Sequence, residues 1–399
     1  MKNGVFLVIS IVASIFFINN SIGEAKEAKG ITDNSIKIGV ILDQTGPATG
    51  VTIPITKAMR TYARHINDHG GVNGRKLKMC VEDDRYSIPP ALAAFKKLAY
   101  RDRVFVFMGP SSASLINVIA KSIQKVKLPT ISVTFPEVTV KPFKKYIFIV
   151  TGTYGGQVRA IVDYMVKDYG LKEPRIGLVY PDTEAGKTDV RAALPRLKKY
   201  NLEPVTKEIL MAGSLDATSQ VMNLKKHKVN CVLNMGTIPA STITLLRGLK
   251  KFGLNIPTFS SYGAMGNEEL NKIGEAGNQA YSVFPFSTWY GKGPGLEVMR
   301  KTTLKYYPGT EKPYRGAVYT LGWGMSVVLV EGLRRAGRNL DEDAFIKALE
   351  SLKSYDTGGL CPPITFSSVS HKGGGSWKIF RTDSASGKFI AVTGWKKSD

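Results

Sequence analysis

Apolar segments of two different periods take turns along most of this chain, and that alternation limits the possible folds more than any other feature. Residues 35–42 (SIKIGVIL) form an apolar run of strand length. Ile55, Met59, Tyr62, Ala63 and Ile66 then recur at helical spacing. Gly70-Gly71 ends that helix and Asn73-Gly74 makes a turn. Leu77, Met79 and Val81 alternate as strand residues do. Leu92, Phe95, Leu98 and Ala99 predict a helix, and residues 104–108 a strand. Leu115, Val118, Ile119, Ile123 and Val126 predict the next helix, before a short strand at 130–133. The rhythm resumes after residue 150 with a helical stripe of Val158, Ile161, Val162 and Met165 and a strand at 175–180. A helix through Val190, Leu194 and Leu197 follows, which Pro195 is expected to kink. A strand at 231–235, a helix at 243–252 and a strand at 258–260 continue the pattern, with a later helix at 318–336. Repeated alternation of this kind implies parallel sheets with right-handed crossovers. A length of 399 residues exceeds one ordinary domain. Two consecutive α/β lobes of roughly 120 residues each are therefore expected, followed by a last third that ends in a tail rich in Gly and aromatic residues.

The N-terminus sets the expected compartment. Lys2 precedes an apolar stretch at residues 5–18, shorter than the roughly 20 residues of a membrane span. Gly23-Glu24-Ala25 puts small residues where a signal peptidase would cut after Ala25. Residues 1–25 thus read as a signal peptide, and the mature protein as exported; the competing reading is an uncleaved N-terminal anchor. Lys plus Arg number 55 against 32 Asp plus Glu, a net charge of +23 that invites a nucleic-acid reading. The densest cluster, however, is Lys225-Lys226-His227-Lys228, short of a block of five or six like charges. With export, this argues against a nucleic-acid partner. The charge is better suited to steering an anionic ligand, or reflects general lysine usage. Three cysteines in a chain this long exclude a disulfide-built scaffold.

Catalytic motifs are missing. No G-x-G-x-x-G follows a strand, and there is no Walker A sequence and no G-x-S-x-G elbow. His65 and His69 lie four apart, but Ile66 stands where a zincin needs Glu. Cys80, Cys231 and Cys361 fit no metal spacing, and Cys80 and Cys231 read as small hydrophobes in strands. Glu82-Asp83-Asp84 at a strand end is either a cation site or, more simply, a solvated turn. Neither a metal, a cofactor nor an enzyme activity is expected.

Open parallel sheets bind ligands beyond the carboxyl ends of their strands. Asp43-Gln44-Thr45-Gly46-Pro47 follows the first strand, and Gly109-Pro110-Ser111-Ser112-Ala113-Ser114 opens a helix after the third. Ser132, Val133 and Thr134 follow the fourth. Free N–H groups at a helix start, flanked by hydroxyls, suit a carboxylate. Ser111 and Ser114 are equally suited to be helix N-caps.

These residues carry a resemblance. Ile38-Gly39-Val40 through Thr45-Gly46-Pro47, Gly70-Gly71-Val72-Asn73-Gly74-Arg75-Lys76-Leu77, Glu82-Asp83-Asp84, Gly109-Pro110, Leu128-Pro129-Thr130-Ile131-Ser132 with Pro136-Glu137, and Asp356-Thr357-Gly358-Gly359-Leu360 together resemble the periplasmic leucine/isoleucine/valine-binding proteins, the substrate-binding components of ABC importers. The resemblance implies a type I periplasmic binding protein: two Rossmann-like α/β lobes with parallel sheets, joined by a hinge and closing on a ligand. It implies an N-terminal lobe of 31–150 plus 285–360 and a C-terminal lobe of 151–284 plus 361–399, with Trp377 and Trp395 on the latter. It implies permease and ATPase subunits as partners and a monomeric state, and neither catalysis nor a cofactor.

By the same resemblance Ser111, Ser132 and Thr134, with Val133 between the last two, hold a ligand carboxylate. The other side departs from the family. Its amino-acid binders hold the ammonium with an acidic residue, and the matching place here is Tyr262. Positions where the family has tyrosines become Val51, Ala185 and Ile238. An ammonium buried without an acceptor costs several kcal/mol. The expectation is therefore a pocket that keeps its carboxylate anchor and lacks an amine anchor. Its cargo would be an apolar or aromatic carboxylate, walled by Tyr154, Tyr262 and Tyr314, with Arg159 and Arg315 as cationic contacts or surface residues. Branched-chain amino acids or small amides, and a role as sensor for a membrane receptor, are the alternatives.

Overall fold

The structure, a computed structural model, describes residues 29–211, 213–262, 273–308 and 317–397. Residues 1–25, expected to be a signal peptide, lie outside them. One sheet contains β1 (Ser35–Ile41), β2 (Lys76–Glu82), β3 (Val106–Met108), β4 (Thr130–Ile131) and β5 (Ile147–Phe148), in the order β2-β1-β3-β4-β5. Every pair in it is parallel. Parallel neighbours need crossovers, and α1 (Thr49–Asp68), α2 (Ile88–Lys96) and α3 (Ala113–Val126) provide those from β1 to β4, while the connection from β4 to β5 carries one short 3-10 turn at Glu137–Thr139. β1 is covered on both faces, which is why it reads as a continuous apolar run.

The second sheet has β6 (Ile176–Tyr180), β7 (Pro204–Ile209), β8 (Cys231–Asn234), β9 (Thr258–Ser260), β10 (Ala280–Phe284), β11 (Ser376–Asp383) and β12 (Lys388–Ala391). Their order is β12-β11-β10-β9-β8-β6-β7, with a short β13 (Lys396–Lys397) on β11. Strands β6 to β10 run parallel, and β11 and β12 are antiparallel additions. Helices α4 (Tyr154–Asp163), α5 (Glu184–Lys198), α6 (Thr218–Lys226) and α7 (Pro239–Lys251) serve this lobe.

The chain then returns. Helices α8 (Pro294–Tyr306), α9 (Ala317–Ala336) and α10 (Glu342–Glu350) complete the first lobe, where Leu321 and Phe345 share a core with Val40, Ile55 and Phe107. Gly322 lets α9 approach α1 closely: a Cβ there would stand 2.5 Å from the Ile55 carbonyl oxygen. The second lobe's core includes Leu178, Leu233, Phe259 and Trp377. The last return to it comes later than the sequence implied. Cys361, Ile364 and Phe366 belong to the first core, whereas Trp377 and Ile379 belong to the second. Lys372 bridges Ile149, so the first and last crossings between lobes run side by side. Gly152 in the first crossing leaves room for the Trp377 ring, which a Cβ would meet at 2.7 Å.

Helix α5 runs through Pro195 to Lys198. Its last turn is fastened from outside: Arg196 Nε donates to Asp163 at 2.6 Å and the Tyr200 hydroxyl to the same carboxylate at 2.7 Å. The three cysteines are unpaired. No helix among the described residues is long and apolar enough to cross a membrane.

Candidate functional site

Strand order places the site. In the first sheet β1 lies between β2 and β3, so the connections after β1 and β3 leave on opposite faces and open a crevice at their carboxyl ends. In the second sheet β6 lies between β7 and β8 and opens the same kind of crevice. The two crevices face each other across a cavity of about 90 Å³, several times the roughly 10–15 Å³ that one water needs.

The first lobe lines this cavity with Ala48, Val51, Thr52 and Ile55 from the start of α1, Tyr86 after β2, Ser111 after β3, and Val133 and Thr134 after β4. The second lobe contributes Tyr154 at the start of α4, Ala185 and Asp189 on α5, Gly236, Thr237 and Ile238 after β8, and Tyr262 after β9. Val51, Ser111, Val133, Thr134, Tyr154, Ala185, Ile238 and Tyr262, all named from the sequence, thus meet at one place. Tyr314 and Arg315 lie outside the described residues. Arg159 borders a separate groove with Glu137, Glu184 and Arg191 rather than the cavity.

Two of the expected carboxylate donors are otherwise engaged. The Ser111 hydroxyl donates to Asp84 Oδ1 at 2.7 Å and accepts the Asp43 N–H at 2.5 Å, and the Ser111 N–H donates to Asp84 Oδ2 at 3.0 Å. A hydroxyl has one proton, so Ser111 has none left for a ligand. Ser132 is fully buried away from the cavity, and its hydroxyl donates to the Thr134 carbonyl at 2.6 Å. The helix cap is neither Ser111 nor Ser114: the Ser112 side chain accepts the Leu115 N–H at 3.3 Å.

The acidic residues at this end are a structural clamp. Asp43, Asp83 and Asp84 come together. Asp43 Oδ2 accepts the Ala48 N–H at 2.7 Å, and Asp83 Oδ1 accepts the Gln44 and Arg85 N–H groups at 2.8 and 2.9 Å. Asp84 Oδ1 also accepts the Tyr86 N–H at 2.9 Å. Burial pushes the Asp84 carboxyl up, against the pull of its bonds from Ser111. Backbone donors thus occupy these oxygens, which accounts for the cluster without a cation.

Other polar groups remain open. Thr134 Oγ1 and the Tyr262 hydroxyl are buried without a hydrogen-bond partner. Burial raises the Tyr262 and Tyr154 hydroxyls above the ordinary tyrosine range, so both stay protonated. Tyr262 is fixed by its N–H, which donates to Gln157 Oε1 at 2.9 Å, and by its ring. That ring lies 6.0 Å from Phe135 of the first lobe and 6.2 Å from Phe284 of the second. Gly236 permits the tight approach of α5: its φ is +66°, and a Cβ would stand 2.6 Å from the Gly186 backbone.

Asp189 was not read from the sequence, and it changes the chemistry of the pocket. It is 3% exposed. Burial pushes its pKa up to about 7, opposed by hydrogen bonds from the Ser261 hydroxyl and the Gly236 N–H and reinforced by the Glu137 carboxylate. Among the described residues no Lys, Arg or His lines the cavity with it. The pocket expected to lack an acid therefore has one, supplied by α5 rather than by the end of β9. Its signal was local: Asp189 follows Ala185 by four residues on a helix, so both face the same way.

A family model described as Periplasmic binding protein matches residues 35–388. A Leu/Ile/Val-binding protein homolog of Brucella melitensis is 23% identical over 361 residues, covering 90% of this chain and 93% of the relative. A branched-chain amino acid ABC transporter protein of Thermus thermophilus, solved with bound valine, superposes with a TM-score of 0.84 at 21% identity, over 92% of this chain and 98% of that one. A fatty acid ABC transporter substrate-binding protein of Thermomonospora curvata gives a TM-score of 0.80 at 22% identity, over 94% and 95%. With two α/β lobes facing each other across a cavity at their strand ends, and a family match running almost from the first strand to the last, this chain belongs to the periplasmic binding proteins.

Proposed function

We propose that the protein is the exported, ligand-capturing subunit of an ABC importer, and that it holds a small carboxylate-bearing ligand with an apolar or aromatic body between its lobes. The observation that carries this reading is a pair of unpartnered buried hydroxyls, Thr134 Oγ1 on one lobe and Tyr262 on the other, in a cavity walled by Val51, Ile55, Tyr154 and Ile238. One carboxylate can accept from both hydroxyls and so bridge the lobes. A ligand that bridges them binds the closed arrangement better than the open one and shifts the population toward it. The apolar wall suits a hydrocarbon or aromatic body. The named relatives, one solved with valine and one called a fatty acid transporter protein, support a small carboxylate of this kind. In this reading residues 1–25 direct export, the protein acts as a monomer, and a permease with its ATPase receives the closed form.

A thermal-shift screen tests the proposal, using leucine, valine, benzoate, hydroxybenzoates, cinnamates and short fatty acids. A ligand at about 100 times its Kd adds roughly 2.7 kcal/mol to the folded state. A failure of every carboxylate to raise the melting temperature, or a co-crystal with the cargo outside the cleft, would overturn the reading. Uptake by vesicles carrying the cognate permease and ATPase, dependent on added protein, separates an importer from a sensor.

A further inference from the structure

We infer that Tyr86, in the turn after β2, limits how long a cargo the closed cleft accepts: its ring is the end wall against which the tail of the cargo stops. The inference rests on the proposal that a carboxylate-bearing cargo sits between the lobes, and it adds the determinant of cargo length.

Strand order gives the cavity a direction. The chain crosses between lobes after β5, after β10 and before β11, so the hinge stands at that edge of both sheets. β2 and β7 are near the edges farthest from it. The two open hydroxyls, Thr134 Oγ1 after β4 and Tyr262 after β9, come from strands adjoining β5 and β10. A carboxylate held by both therefore puts the head of the cargo toward the hinge. Its body then runs past Val51, Ile55 and Ile238, which follow β1 and β8, and points toward β2. Among the described lining residues, Tyr86 is the one that follows a strand at the edge remote from the hinge. It is half-buried, as a side chain with the cavity on one side and the mouth on the other should be.

The turn that carries Tyr86 is firmly held. Arg85 and Tyr86 are consecutive non-glycine residues in the left-handed region, with φ of +48° and +54°. Side chains crowd the backbone there, and such conformations persist where surrounding bonds over-determine them. Here the acid clamp supplies those bonds. Asp83 Oδ1 accepts the Arg85 N–H and Asp84 Oδ1 the Tyr86 N–H, both at 2.9 Å, and the Asp84 carbonyl accepts the Ser87 N–H at 2.8 Å. Asp84 is in turn bonded by Ser111 from the end of β3. Gly46 lets the turn after β1 come close: a Cβ there would stand 2.9 Å from the Arg85 carbonyl oxygen. Three strand ends thus fix the backbone from which one ring projects. Burial keeps its hydroxyl protonated, so the wall is uncharged and suits an apolar chain end.

Two ligand series test the role by calorimetry: straight-chain carboxylates of four to ten carbons, and straight-chain 2-amino acids of the same lengths. Each added methylene should tighten binding about fourfold while room remains, and affinity should fall once the ring is reached. Tyr86→Gly removes the ring, and glycine takes this φ without strain, so the turn persists. In whichever series binds, this variant should carry the rise roughly two carbons further. Tyr86→Phe keeps the ring and should restore the original limit. Thr134→Ala should weaken every length by a similar factor without moving the limit. An unmoved limit in Tyr86→Gly, or the same factor lost at every length, would overturn the role of Tyr86 while leaving the cleft proposal standing. If no acid of either series binds the unsubstituted protein, the cleft proposal fails and takes this inference with it.

Discussion

The two walls of the cleft are built from the same parts, strand ends and helix starts, yet they use their polar atoms differently. On the first lobe nearly every donor and acceptor is consumed internally. Asp43, Asp83 and Asp84 hold the backbone after β1, β2 and β3, and Ser111 is fastened to Asp84. Thr134 Oγ1 is the exception. On the second lobe, Asp189 lacks a cation and the Tyr262 hydroxyl lacks any partner. Saturated groups stiffen a wall, because each lost bond leaves a buried atom unsatisfied. Open groups are a cost to the empty protein that a ligand removes. The first lobe is therefore a platform with one free donor, and the second lobe carries most of the open polar groups.

The largest effect expected tests whether saturation in the second lobe lies away from the cleft. Arg196→Ala removes the partner of Asp163 at the far end of α5, where Arg196 is 6% exposed. It should destabilise the protein by about 3–5 kcal/mol in denaturant titrations, the range for a buried ion pair that loses one member. Ligand affinity per folded molecule should change little. A loss below 1 kcal/mol would show that α5 is held mainly by its other contacts.

Next is the pH dependence that the open Asp189 imposes on the ligand-free protein. Burial holds its folded pKa at about 7, above the ordinary carboxylate value of 3.8. The associated stability is present in full below pH 3.8 and is lost as the pH rises through 7. The loss is up to about 4 kcal/mol, on the order set by three pKa units. Asp189→Asn should remove this part of the decline between pH 4 and 7 in urea titrations. An identical profile for the variant would mean that Asp189 is not held protonated in the empty cleft.

Smaller effects separate Ser111 from Thr134. Ser111→Ala strips Asp84 of a donor and the Asp43 N–H of its acceptor, so it should lower stability by about 1–2 kcal/mol. Thr134→Ala removes a hydroxyl with no partner, so the empty protein should melt unchanged while carboxylate affinity falls by about 1 kcal/mol. Reversed results, with Ser111→Ala acting on affinity and Thr134→Ala on stability, would erase the contrast between the two walls.

Much of the fold was legible because period is a local property. β1, α1, β6 and α9 announce themselves through spacing that neighbouring residues set. The strands that went unread are β5, β7 and β10, and the antiparallel β11 and β12. β5 is too short to show a period, and β11 and β12 belong to a tail where Gly and aromatic residues obscure the alternation. Eight of the residues named from the sequence line one cavity, Ser111, Val133 and Thr134 reached by counting strand ends and Val51, Ala185, Ile238 and Tyr262 by the family resemblance. Their chemistry was less legible. Ser111 was read as a donor to a ligand because its partner, Asp84, stands 27 residues earlier in the chain. Ser132 was read the same way, although its hydroxyl bonds its own turn.

The sequence by itself determined the alternating α/β plan, the two lobes and the strand ends where a ligand would sit, because these follow from the short-range pattern of apolar side chains. Only the tertiary structure decided which hydroxyls retain a free proton and which acid faces the cavity. Hydrogen-bond partners are chosen by proximity in space: β2 and β3 flank β1, and β8 lies beside β6, and that arrangement ties Ser111 after β3 to Asp84 after β2 and brings Asp189 into a shared wall with Gly236.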